Sequence, residues 1–223
     1  MKYALLASLL LTAVLQGAGL TFESALQEVH ADLEAKTVVS DFKFTNNTSE
    51  TLTIRDTDPG CSCLKVEVSG GKLTYAPGES GILRGTFEVG SFQGAVNKEI
   101  LIWLKNDPDD KPSSAVTLRV HIPVIIALEP KTVRWDVGEK TTPKNIRVEM
   151  DYEKPIHIKS VSTSNTDFTA ELITITEGKT YDVKVTPKNS ESPGLSIIRI
   201  VTDVDVDRQK VQQGFAVVST PVP

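Results

Sequence analysis

Cys61-Ser62-Cys63 is the place in the chain where residue type and spacing could do chemistry, and these two are its only cysteines. Two thiols this close have three possible chemistries. They can close a disulfide, for which the loop must bend, because residues two apart in an extended strand stand near the upper limit of Cα separation; such a bond is strained and comparatively reducible. They can present two soft thiolates to Cu(I) or another soft ion. Or each can be a small packing residue. Where the pair should recur in the second half the chain has Ser162-Thr163-Ser164-Asn165, so the fold does not require thiols there. The metal case is weak, because Met150 is the one methionine beyond Met1 and no histidine lies nearby in sequence. The three readings stay open at this point.

Other candidate chemistry is weaker. Gly78-Glu79-Ser80-Gly81 superficially resembles a serine nucleophile loop, but Pro77 and the flanking alternation make it a β-turn, and its counterpart Glu177-Gly178-Lys179 has no serine. His30, His121 and His157 fall on the polar side of their alternations and read as solvated. A catalytic histidine needs an orienting carboxylate and a nucleophile within reach, and nothing in the sequence marks such a trio. Asp203, Asp205 and Asp207 alternate with Val204 and Val206, which reads as one solvated strand face, not a calcium loop. Asn106-Asp107-Pro108-Asp109-Asp110 reads as a polar turn.

The elements that must position these residues are strands. Beyond Leu20 the apolar period is two: Phe42 and Phe44, Leu52 and Ile54, Ile100 and Ile102, Leu118, Val120 and Ile122, then Val183 and Val185, Ile198 and Ile200. Gly, Pro, Asn and Asp clusters such as Pro77-Gly78 and Pro193-Gly194 punctuate them. Glu23–Ala35 is the one stretch where a helix is an alternative. The two halves repeat: Ile54 and Ile158, Gly78 and Gly178, Asp107 and Asp203 stand 104, 100 and 96 residues apart, a drift that loops absorb. The expected fold is therefore all-β, with two tandem immunoglobulin-like β-sandwich domains after a cleaved signal peptide. The expected boundaries are 1–19 for the leader, 20–124 for the domain with the Cys-Ser-Cys loop, and 125–223 for a second sandwich without cysteines.

Compartment follows from the leader and the charge. Lys2, the apolar run Ala4–Leu15 and the small residues Gly17–Gly19 have the layout of a secretory signal peptide, with no cysteine near the cut to carry a lipid. The chain of 223 residues has 24 Lys+Arg against 29 Asp+Glu, net −5. An acidic chain without a basic run is poorly suited to neutralising phosphates, so nucleic acid is not an expected partner. Val120–Leu128 is too short, and broken by Pro123, to span a membrane. The expected location is the periplasm or the extracellular space, and the expected partner is another exported or cell-envelope protein.

Phe42-Lys43-Phe44-Thr45-Asn46-Asn47, Leu52-Thr53-Ile54, Gly60-Cys61-Ser62-Cys63, Tyr75-Ala76-Pro77-Gly78-Glu79-Ser80-Gly81 and Lys98-Glu99-Ile100 through Asn106-Asp107 follow one another in an order that resembles the bacterial domain-of-unknown-function family 1573. The resemblance covers about Thr21–Val124. It implies an exported immunoglobulin-like sandwich with a Cys-Gly-Cys-Thr signature and no established activity. Ser62 stands for the usual glycine and Leu64 for the usual threonine. The functional expectation is a non-catalytic binding or structural module that needs no cofactor and associates through an exposed sheet edge or a crease. Redox or soft-metal handling by Cys61 and Cys63 is the alternative.

Overall fold

The structure, a computed structural model, describes residues 19–220. The leader expected over 1–19 lies outside the described residues except for Gly19. Those residues form seventeen strands and two single-turn 3-10 segments, so the chain is nearly all β. No helix among them is long and apolar enough to cross a membrane.

Alternation explains the strands, since successive side chains point to opposite faces. In the strand Thr37–Asn46 the residues Val38, Ser40, Phe42, Phe44 and Asn46 are buried while their neighbours are exposed or partly so. Ile100 and Ile102 are fully buried within Gly94–Leu104, with Leu101 and Trp103 on the opposite face. Each such apolar side chain contributes roughly 1.5–3 kcal/mol by leaving water. The ambiguous stretch around Glu23–Ala35 is not helical: Leu26–His30 is a strand.

The first sandwich has two sheets. One is ordered β1 (Leu20–Phe22), β3 (Thr37–Asn46), β7 (Ser80–Glu88), β5 (Leu64–Val68). The other is ordered β2 (Leu26–His30), β9 (Ser114–Ile122), β8 (Gly94–Leu104), β4 (Leu52–Asp58), β6 (Thr74–Tyr75). Gly85 of β7 faces the space between the sheets: a Cβ there would lie at ordinary contact distance, 3.4 Å from Leu64 Cδ1 and 3.6 Å from Ile100 Cδ1, one residue from each sheet.

The second sandwich uses the same plan. One sheet is ordered β10 (Ile126–Glu129), β12 (Lys144–Met150), β15 (Thr180–Pro187), β14 (Phe168–Thr176). The other is ordered β11 (Thr132–Asp136), β17 (Val211–Ser219), β16 (Gly194–Thr202), β13 (Ile158–Thr163), with β11 and β17 running parallel. Strand for strand, the two orders match once the short extra β6 is set aside. The sequence repeat maps onto this plan. Ile54 and Ile158 lie on β4 and β13, and Gly78 and Gly178 turn the chain into β7 and β15 with positive φ. Asp107 and Asp203 follow β8 and β16. Trp135 is fully buried in the second core, and its Nε1 donates to the Thr142 carbonyl at 2.8 Å.

By contact density the described chain divides into two compact units. The first takes residues 19–29, 37–88 and 97–120; the second takes 30–36, 89–96 and 121–220.

Candidate functional site

The cysteine loop grows out of the end of β4. Asp58 Oδ1 accepts the Gly60 N–H at 2.7 Å, and Gly60 takes φ +67, a value a side chain would resist. This turn brings the Cα atoms of Cys61 and Cys63 to 5.3 Å, and the two sulfurs are bonded to each other. On the far side the loop is anchored to the first core. The Cys63 carbonyl accepts Glu88 N–H at 2.8 Å, and Leu64 is 2 % exposed. Both cysteines are partly exposed and Ser62 is exposed. Gly60 and Cys61 line a cleft of about 210 Å³ with Asn97, Lys98 and Glu99. Among the described residues no group of three or more His, Cys, Asp or Glu is placed to hold a metal ion. In the second sandwich the corresponding bend is held by hydrogen bonds: Thr163 Oγ1 donates to Asn165 O at 2.7 Å, and Asn165 Nδ2 to Leu195 O at 2.8 Å.

The remaining sequence candidates are placed as follows. Of Gly78-Glu79-Ser80-Gly81, Gly78 and Glu79 belong to the turn Ala76–Glu79, closed by Glu79 N–H donating to Ala76 O at 3.0 Å, while Ser80 and Gly81 begin β7, where Ser80 Oγ shares a hydrogen bond with Thr45 Oγ1. Asp203, Asp205 and Asp207 are not on a strand, because β16 ends at Thr202. Val204 and Val206 are buried between them and each carboxylate meets its own partner: His157, Lys154 and Lys210 respectively. His157 does gain an orienting carboxylate, Asp203 Oδ2 at 2.9 Å from Nδ1, but its other nitrogen faces Glu177 at 3.7 Å, a second carboxylate and not a nucleophile. The His157 N–H bond, with the His157 side chain and charge, holds the Asp203 carboxyl below the usual carboxylate range against the effect of burial. His121 departs from the solvated reading: it is partly buried, with its ring stacked on His30 at 4.6 Å.

Within the second unit lies a larger feature, a groove of about 760 Å³. Its walls come from four separated pieces of chain: 91–93, 124–131, Arg208 and 211–213. Ile126, Ala127 and Leu128 of β10 line it, and β10 is an outermost strand of its sheet, so one side of its backbone carries no neighbouring strand. Phe92, Val124 and Val211, each more than a third exposed, are three of the eight large apolar residues exposed among the described residues, and all three line this groove. One end is polar. Gln93 Nε2 donates to Gln209 Oε1 at 2.8 Å and to Gln212 Oε1 at 2.9 Å, and Arg208 Nε donates to Leu33 O at 2.9 Å. Burial pushes the Arg208 guanidinium down from its usual pKa. Sequence reasoning does not find this groove, since its pieces are far apart in the chain. The one local signal is Val211, a large apolar residue in the polar run Asp207-Arg208-Gln209-Lys210-Val211-Gln212-Gln213.

Among solved structures, the chain is similar to a protein of unknown function from Porphyromonas gingivalis W83, at 11% identity and TM-score 0.36, covering 90% of this chain and 99% of that one. It is similar at 8% identity and TM-score 0.35 to the YadV chaperone, covering 89% and 99% of the two chains. The E. coli chaperone DraB gives 10% identity and TM-score 0.34, covering 83% and 92%. Likenesses this distant carry no argument about function. A comparison with curated proteins finds no match. Residues 20–119 match the model of the family described as Protein of unknown function (DUF1573), so it is the first sandwich, with its Cys-Ser-Cys loop, that is similar to this family.

Proposed function

We propose that the protein is an exported, non-catalytic binding module of the bacterial cell envelope, and that the groove beside β10 receives an extended segment of another exported protein. The observation that carries this reading is the convergence of Phe92, Val124 and Val211 on a groove bordered by an outermost strand. Clustered exposed apolar groups mark interaction surfaces, whereas scattered ones do not. The backbone of an outermost strand offers main-chain pairing to an extended chain, and pockets for alternate side chains give choice. Export is supported by the layout of Lys2, Ala4–Leu15 and Gly17–Gly19.

A photo-crosslinking residue placed at Val211 in the native host tests the site, with one at Leu195, which is 58% exposed on β16, as the control. The expected result is a discrete covalent adduct from position 211 that is absent from 195 and lost when Val124→Lys is added. Equal adducts from both positions would reject the groove as the site.

A second reading, thiol chemistry at Cys61 and Cys63, is favoured by the partial exposure of both residues beside a cleft. Thiol titration with and without reductant, together with metal analysis of the purified protein, tests it. Two thiols that stay alkylatable without reductant and carry no metal would reject it.

A further inference from the structure

The charged side chains that line the groove are all of one sign. Although acidic residues outnumber basic ones in the chain, the lining includes Lys131 and Arg208 and no Asp or Glu. Arg208 Nε and Nη1 donate only to main-chain carbonyls, those of Leu33 at 2.9 Å and Phe92 at 3.3 Å. Its Nη2 is buried with no hydrogen-bond acceptor. A guanidinium is always charged and has five N–H donors in a planar fork. Removing such a cation from water without an opposite charge is costly, and a carboxylate offsets that cost with two acceptor oxygens matched to the fork. The lone pairs of a neutral amide would leave the charge uncompensated.

We infer that the segment received in this groove carries an Asp or Glu side chain between apolar residues, and that Arg208, helped by Lys131, reads that carboxylate. The inference rests on the binding-module reading above and specifies the chemistry of the partner. Val124, Val211 and the free side of β10 take the apolar flanks in extended conformation. The main-chain surface of β10 favours a peptide over a small amphiphile, whose tail could not use it.

The test uses the full mature protein and three probes: the capped heptapeptide Val-Thr-Val-Glu-Val-Thr-Val, the same peptide with Gln at the centre, and decanoate. Binding is read by fluorescence anisotropy, and the site by NMR of the Arg Nε–H and Gln side-chain amide signals. The acidic peptide is expected to bind at least tenfold more tightly than its Gln counterpart and to shift the Arg208 and Gln93 signals. Arg208→Gln should bring the two peptides within twofold, and Lys131→Gln should reduce the preference partway. Lys131 is exposed, so that variant carries the test even where Arg208→Gln loses its cooperative melt. Equal affinity of the two peptides, with both abolished by Val211→Lys, would overturn the carboxylate inference and leave the groove reading standing. If neither peptide disturbs the groove signals, both fall. Decanoate binding more tightly than the acidic peptide at the same signals would overturn the inference in favour of a small amphiphile.

Discussion

Asn46 ends β3 in a fully buried position, and its side chain uses all of its hydrogen-bonding capacity. Nδ2 donates to the carbonyls of Glu50 at 2.7 Å and Tyr75 at 2.8 Å, and Oδ1 accepts from Thr48 N–H at 3.0 Å and Thr48 Oγ1 at 2.7 Å. Its backbone closes the same corner, accepting Gly78 N–H and donating to Glu79 O. The side-chain amide thus joins the turn after β3 to β6, and the backbone of the same residue joins both to the turn leading into β7. Asn46→Ala removes four bonds, each worth about 0.5–1.5 kcal/mol net. Water can replace those to Glu50 and Thr48 at the surface, but the Tyr75 carbonyl is left buried, at about 1–3 kcal/mol. The expected loss is roughly 2–4 kcal/mol, which for a domain of about 100 residues lowers the melting temperature by roughly 10–25 °C. The chain has two tryptophans, Trp103 in the first sandwich and Trp135 in the second. In a Trp135→Phe background, urea unfolding followed by tryptophan fluorescence reports on the first sandwich alone. Thr48→Ala, which removes only the partner at the surface, should cost about 1 kcal/mol. A loss below about 0.5 kcal/mol for Asn46→Ala would refute the reasoning, because the buried carbonyl would then have found another donor at no cost.

Three further outcomes follow from the same structure. Replacing both Cys61 and Cys63 with Ser should cost about 1 kcal/mol or less, since the closed loop has one intervening residue and both side chains are partly exposed; equilibrium unfolding reads the cost, and alkylation with intact-mass analysis reads the bond. Burial raises the pKa of Asp107, but hydrogen bonds from Ser113 and from the Leu104 and Ser113 N–H groups, with the charge of Arg55, hold it below the usual carboxylate range on balance. A depressed carboxylate pKa stabilises the fold above the unfolded value, and that contribution is lost as pH falls through the folded one, so Asp107→Asn should flatten the stability profile below about pH 4, as measured by urea unfolding at a series of pH values. Gly81→Ala would put a Cβ 2.5 Å from Phe44 Cζ and 2.6 Å from the Tyr75 hydroxyl; the overpacking should cost about 1–3 kcal/mol in thermal unfolding, and an unchanged melt would show that the two rings can move apart freely.

What the sequence determined is what short-range physics writes into it. A period of two, set by the pleat, gave Phe42 and Phe44, Ile100 and Ile102, Val183 and Val185, and Ile198 and Ile200 as core pairs, and all eight are buried, although Asp182 beside Val183 is buried too and breaks the alternation. Glycines able to take positive φ marked the equivalent turns at Gly78 and Gly178, so the all-β class and the repeat of the strand pattern were legible in the sequence, whereas the order of the strands in each sheet was not. The ordered motifs of the first half were enough to indicate the family match over residues 20–119. Tertiary structure decided what depends on which segments meet. Asp203, Asp205 and Asp207 look alike in sequence, yet each is defined by a different partner brought in from elsewhere, and Val204 and Val206 are buried without a strand to carry them. His121 is polar by alternation and partly buried because His30, some ninety residues earlier, stacks on it. The groove is the clearest case, because Phe92, Val124, Arg208 and Val211 share no local pattern and become one surface only through folding. Periodicity reports which face a side chain takes. It carries no information about which distant residue will occupy that face beside it.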